Sequence, residues 1–167
     1  MPHKKEAAYQ KQLRKGDPTA WAQLVDQWSP RIYSYVSYNT TDDREAEALM
    51  QFILSEVVQT LLSTPRLDNL TTLLFTIAYK HVLLYRQQLS DYMLPRLLQP
   101  PHTLPAKNAR EQKFTQALRQ ISLETQQLLL LRYLCDVPMP ELSHIAGKSE
   151  DVLAHMLCRN ELFSPLL

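Results

Sequence analysis

Residues 124–163 read ETQQLLLLRYLCDVPMPELSHIAGKSEDVLAHMLCRNELF, a pattern of three short helices. Leu128, Leu129, Leu130, Leu131, Tyr133 and Leu134 make the first apolar nearly all round, which suits a helix buried in a small bundle. Pro140 fits the first turn of the second, where a missing N–H leaves nothing unsatisfied, and Leu142, Ile145 and Ala146 form an inward stripe. Gly147 supplies the turn. Ser149 can cap the third helix, Glu150 and Asp151 complement its dipole, and Val152, Leu153, Met156 and Leu157 face inward. A short helix, a glycine turn and a capped helix are the grammar of a helix-turn-helix.

Working outward, Phe114, Ala117, Leu118 and Ile121 begin the helical set that runs into this stretch. Before them, Pro95, Pro100, Pro101 and Pro105 fall within eleven residues and forbid a continuous helix. The spacing therefore predicts a linker over 91–109 between a first domain, 1–90, and a second, 110–167. The first domain reads as helical throughout. Lys4 to Lys15 form a polar helix that Gly16 stops. Asp17 caps the next, with Pro18 at its first position and Trp21, Leu24, Val25 and Trp28 on one face. Ser29 and Pro30 repeat that start signal for a short helix with Ile32, Tyr35 and Val36 inward and Tyr33 and Tyr38 elsewhere. Asp42 with Glu45 opens a long helix whose Ala46, Leu49, Met50, Ile53, Val57, Val58 and Leu61 keep a 3.6-residue period. A turn at Ser63 to Asn69 leads to a further helix with Leu70, Leu73, Leu74, Ile77, Ala78, His81 and Tyr85 on one side. Strand patterns are absent, so the expected class is all-α.

Composition narrows the function. The 167 residues, 45% of them apolar, suffice for a packed core. No apolar run approaches the roughly eighteen residues of a membrane span, and MPHKKEAAYQKQ lacks the apolar segment of a signal peptide. The expectation is a soluble cytoplasmic protein with no membrane partner. Two glycines, Gly16 and Gly147, cannot build a phosphate-cradling loop, and no nucleophile, base and oxyanion donor are assembled by spacing. An enzyme is not indicated, nor is any cofactor. Cys135 and Cys158 lack metal-ligand spacing and read as reduced, at least partly buried thiols. His144, His155 and Cys158 do not make a tetrahedral site, so no metal is assigned. His81 reads as an interior histidine, and Trp21, Trp28 and Tyr35 as core. The net charge of +1 is low for a protein that must grip DNA unaided.

The order of GDPTAWAQLVDQWSPRIYSYV, DDREAEALMQFILSEVV, LTTLLFTIAYKHVLLYRQQ and the closing helix-turn-helix resembles the two domains of extracytoplasmic-function sigma factors over nearly the whole chain. The resemblance implies a first domain that binds RNA polymerase core and captures melted promoter DNA. It implies a second that reads duplex promoter DNA, and an anti-sigma factor as a further partner. Position by position, Glu45, Glu47, Leu49 and Gln51 would form the polymerase-binding surface, while Ala48 and Phe52 stand where the family is usually acidic. Arg66, Asn69, Lys80, Tyr85 and Arg86 would face single-stranded DNA. Thr71, Thr76 and Tyr79 replace arginines common in the family, and Leu73 a tryptophan. Lys148, Ser149, His155 and Arg159 would contact the duplex, whereas Ala154 and Met156 replace basic residues. These departures admit two readings: a sigma factor tethered to promoters through polymerase, or a sigma-like interaction protein, an anti-sigma decoy or polymerase-bound regulator, that has lost promoter recognition.

Overall fold

The computed structural model describes residues 2–89, 93, 97, 113 and 116–158, and every regular element among them is helical. In chain order these are α1 (Pro2–Arg14), α2 (Pro18–Asn39), α3 (Asp43–Ser63), α4 (Leu70–Gln88), α5 (Leu123–Leu129), α6 (Met139–Ala146) and α7 (Glu150–Cys158). Side-chain oxygens meet the orphan amides at their starts. Asp17 accepts from the Thr19 amide at 3.0 Å, Asp42 from Glu45 at 2.9 Å, Asn69 from Thr72 at 3.2 Å and Ser149 from Val152 at 3.3 Å. Gly16 and Gly147 adopt positive φ, 73° and 63°, where glycine alone is free of strain, and thereby end α1 and α6.

Residues 18–39 form one helix, not the two that Ser29 and Pro30 suggested. Pro30 removes the amide that would bond the Asp26 carbonyl, but it lies on the exposed face, where water can serve that oxygen. Trp28, Ile32 and Tyr35 bracket it on the opposite, buried face and hold both halves in register. Two inward assignments and one outward one also shift. Val25 and Val152 are exposed and Tyr38 is buried.

The helices after the proline-rich stretch pack directly on those before it. Leu128, Leu129, Leu130, Leu131, Val137 and Leu142 join Tyr35, Ile53, Leu74, Phe75 and Val82 in one continuous buried cluster. Phe114 and most of 91–109 lie outside the described residues. Beyond Leu129 the α5 helix widens into a π-helical turn, Leu130–Leu134, whose ladder is completed by the Cys135 amide on the Leu130 carbonyl at 3.2 Å. Asp136 follows at φ 53°, a conformation that aspartate tolerates better than most side chains.

This turn delivers Cys135 against α2. Its carbonyl accepts from the Arg31 guanidinium, Nε at 3.0 Å, and its thiol lies 3.5 Å from the Arg31 carbonyl. Burial pushes the Cys135 thiol up to about 12, with Arg31 opposing and Asp136 adding to the shift. Cys158 is exposed rather than partly buried. At pH 8 the folded chain should therefore yield one fast-reacting thiol to an aromatic disulfide reagent, and the second only in denaturant. Two fast thiols without denaturant would show that the two helical sets part readily.

Candidate functional site

α3 turns Ala46, Leu49, Met50, Ile53, Val57 and Leu61 inward and leaves Arg44, Glu47, Ala48, Gln51, Phe52 and Ser55 outward. Of the expected polymerase contacts, Glu47 and Gln51 share this outer face one helical turn apart. Leu49 reaches this face only as part of a groove wall. It sits on the inward stripe, 7% exposed, so its role is packing. Glu45 is exposed but accepts a hydrogen bond from the Tyr85 hydroxyl of α4. Burial first, then the hydrogen bond and charge of Glu45, push the Tyr85 phenol up to about 12. Phe52 is 66% exposed and, with Arg44, Glu45, Ala48, Leu49 and Tyr85, lines a shallow groove. The residue that marked a departure from the family pattern is thus the most prominent apolar side chain on this face.

The expected single-strand contacts do not converge. Arg66 is exposed in the α3–α4 loop. Asn69 is spent twice, capping α4 and donating from Nδ2 to Glu141 Oε1 of α6 at 3.1 Å. A groove lined by Leu67, Asn69, Thr72, Thr76, Pro140 and His144 runs along that contact, so α6 lies over the start of α4. Lys80 points the other way, 2.5 Å from Glu56 Oε1, and His81 Nε2 is 2.6 Å from Glu56 Oε2. The Lys80 hydrogen bond holds the Glu56 carboxyl below its ordinary value, helped by His81 and opposed by burial. Such a half-exposed pair contributes at most about 1 kcal/mol.

Arg86 is the largest correction. It is not presented to a phosphate but buried, 8% exposed, with Nη1 donating to Asn39 Oδ1 at 2.8 Å and Nη2 to Gln126 Oε1 at 3.2 Å. Asn39 Oδ1 also accepts from Gln127 Nε2 at 2.7 Å. Burial lowers the Arg86 pKa from its ordinary value, opposed by Tyr35 and Tyr85. A cation on α4, an amide on α2 and two glutamines on α5 thus form a polar knot between the helical sets.

On the helix-turn-helix, α6 and α7 meet across Gly147, with Leu142, Ile145, Leu153 and Leu157 buried. Ser149 caps α7. Lys148 lies 3.4 Å from Glu124 of α5, and His155 is exposed. Arg159 lies outside the described residues. The outward face of α7 carries Glu150, Asp151, Val152, Ala154, His155 and Cys158, with no lysine or arginine among the described residues. Met156, one of the two positions where the family is basic, is half-buried against the core.

The sequence reading missed one functional candidate. α1 reads in the sequence as a polar helix, yet Lys4, Lys5 and Lys11 are exposed on it and Lys15 is exposed just past its end. The i, i+7, i+11 spacing of Lys4, Lys11 and Lys15 was the available signal.

No family model matches the sequence, and no curated protein matches it. Solved structures do match. CnrH, determined in complex with the cytosolic domain of CnrY, superposes with a TM-score of 0.70 at 15% identity, covering 96% of this chain and 95% of that one. The arrangement of helices is therefore shared over nearly the full length of both chains.

Proposed function

We propose that this chain is a non-enzymatic, sigma-factor-like transcription protein acting in the cytoplasm. Its first helical set docks on core RNA polymerase, and its second, joined through 91–109, offers a helix-turn-helix to promoter DNA. The carrying observation is the full-length fold likeness to CnrH, which has the extracytoplasmic-function sigma-factor fold. CnrH was solved with the cytosolic domain of CnrY, and the anti-sigma factor that the sequence resemblance implies is proposed as a partner here too. Docking is assigned to the outer face of α3, where Phe52 would be the buried anchor and Glu47 and Gln51 the polar rim. Phe52→Ala is expected to weaken capture of core polymerase on the order of tenfold or more, the effect typical of an aromatic anchor. Failure of the purified chain both to bind core polymerase and to support transcripts from a genomic promoter library would end this reading.

The outward face of α7 favours a second reading. With two carboxylates and no cation there among the described residues, and Lys148 paired to Glu124, the chain can be a sigma-like interaction protein that has lost promoter recognition. Ala154→Lys combined with Val152→Arg separates the two, since both positions are exposed. A weak sigma factor gains promoter affinity several-fold, each added phosphate contact steepening the salt slope by about 0.9. A decoy's partner binding does not change.

A further inference from the structure

We propose that the outward face of α1, continued by Arg66, binds the phosphate backbone of single-stranded nucleic acid, which deepens the promoter-binding part of the reading above. Five of the first fifteen residues are basic and one is acidic, leaving thirteen basic against sixteen acidic in the remainder. A chain of net charge +1 thus carries its positive charge in one place. Lys4 and Lys11 on α1, and Lys15, whose amide continues the ladder just past the helix end to the Lys11 carbonyl at 3.2 Å, fall within a narrow arc, and Lys5 lies about 100° round from Lys4. At a rise of 1.5 Å per residue the row is about 16 Å long. All four lysines are exposed, and no ion pair engages them among the described residues.

The opposite face fixes where this row sits. Gln10 Nε2 donates to the Leu67 carbonyl at 3.1 Å, and Arg14 Nε donates to the Leu61 and Thr64 carbonyls, each at 3.1 Å. Glu6, the one acid of α1, accepts from the Leu70 amide at 2.9 Å and is turned away from the lysines. The helix is therefore clamped along the loop that carries Arg66. Asp17, at its end, is occupied as the cap of α2; Asp68, two residues from Arg66, is the exposed countercharge.

Charge and shape select the occupant. A membrane-surface helix needs apolar side chains to insert, but Leu13 and Tyr9 face the core, and the exposed positions between the lysines are Ala7, Ala8 and Gln12. A rigid row of cations without an apolar edge matches a repeating line of phosphates instead, and it supplies the electrostatic grip that α7 lacks.

The test measures binding of a fluorescein-labelled single-stranded oligonucleotide to the full chain across a salt series, beside capture of core polymerase. Lys4→Gln, Lys11→Gln and Lys15→Gln together should lower affinity at low salt on the order of tenfold and flatten the salt slope by about 2, at about 0.7 per lost single-strand contact. The corresponding triple arginine variant should retain both. Unchanged affinity and slope, or no binding by the unsubstituted chain, overturns the proposal. So does tighter lysine-dependent binding to phosphatidylglycerol vesicles than to the oligonucleotide, or loss of polymerase capture with no change in oligonucleotide binding. Lysine-dependent DNA binding without polymerase capture sustains this surface and defeats the sigma-factor reading, so the two failures are distinct.

Discussion

Asn39→Leu should be among the most destabilising single substitutions in the chain, lowering stability by about 3 kcal/mol. Asn39 is fully buried at the end of α2, and its Oδ1 is shared by Arg86 Nη1 and Gln127 Nε2 while its Nδ2 donates to the Tyr35 carbonyl at 2.9 Å. Among the described residues, leucine would fill much of the space but leave a buried guanidinium with Gln126 as its one remaining side-chain acceptor, and the Gln127 side-chain amide with none. Among the described residues Arg86 Nε already lacks an acceptor and Gln127 Oε1 a donor, so the knot is incompletely paired even before the substitution. For a protein of this size the loss corresponds to a Tm lower by roughly 6 to 12 °C. The double variant Asn39→Leu with Arg86→Met should recover part of it, because removing both ends of a buried polar contact costs less than orphaning one. A single variant that melts with the parent, or a double variant less stable than either single, would show that the knot does not hold the helical sets together.

Phe75→Ala should cost about 3 to 5 kcal/mol and should also loosen the second helical set. Phe75 is fully buried and meets Trp28 edge-on, with ring centroids 5.9 Å apart. The Arg31 guanidinium lies 4.7 Å from the Trp28 centroid and 5.2 Å from that of Phe75, in a slot made by the two rings. That slot aims Arg31 at the Cys135 carbonyl. Without the Phe75 ring one wall is gone, so modification of Cys135 in the native state should quicken. Leu74→Ala is the control: Leu74 is almost equally buried but is not one of the two rings that bracket Arg31, and its loss should lower Tm while leaving Cys135 protected. Equal protection of Cys135 in both variants would reduce Phe75 to ordinary core packing.

Local signals in the sequence were sufficient wherever a few neighbouring residues decide the outcome. Asp17, Asp42 and Ser149 cap helices because their side chains reach amides two or three residues on. Gly147 ends α6 because few other residues tolerate its backbone angle. The 3.6-residue stripe of α3 named its buried face nearly completely, since periodicity encodes which side packs. The same stripe already contained Leu49, so naming it a docking residue conflicted with the chain's own pattern. Pro30 shows the limit of such signals: a local breaker was overridden by burial of Trp28, Ile32 and Tyr35 around it.

The fate of the charged and polar groups was decided only in three dimensions. Arg86 reads as a surface cation until Asn39, 47 residues away, and Gln126, 40 residues away, close around it. Asn39 and Gln127 are 88 apart, and Arg31 and Cys135 are 104 apart. Lys80 and Lys148 are drawn off by Glu56 and Glu124, while among the described residues no ion pair engages the lysines of α1, whose one acid, Glu6, turns to the Leu70 amide. What the sequence determined by itself was the all-helical class, the helix starts and the glycine-hinged pair, because these follow from backbone and cap chemistry within one or two turns. What only the tertiary structure decided was which cations are spent internally and which face solvent, because a charge's partner is chosen by packing between segments far apart in the chain.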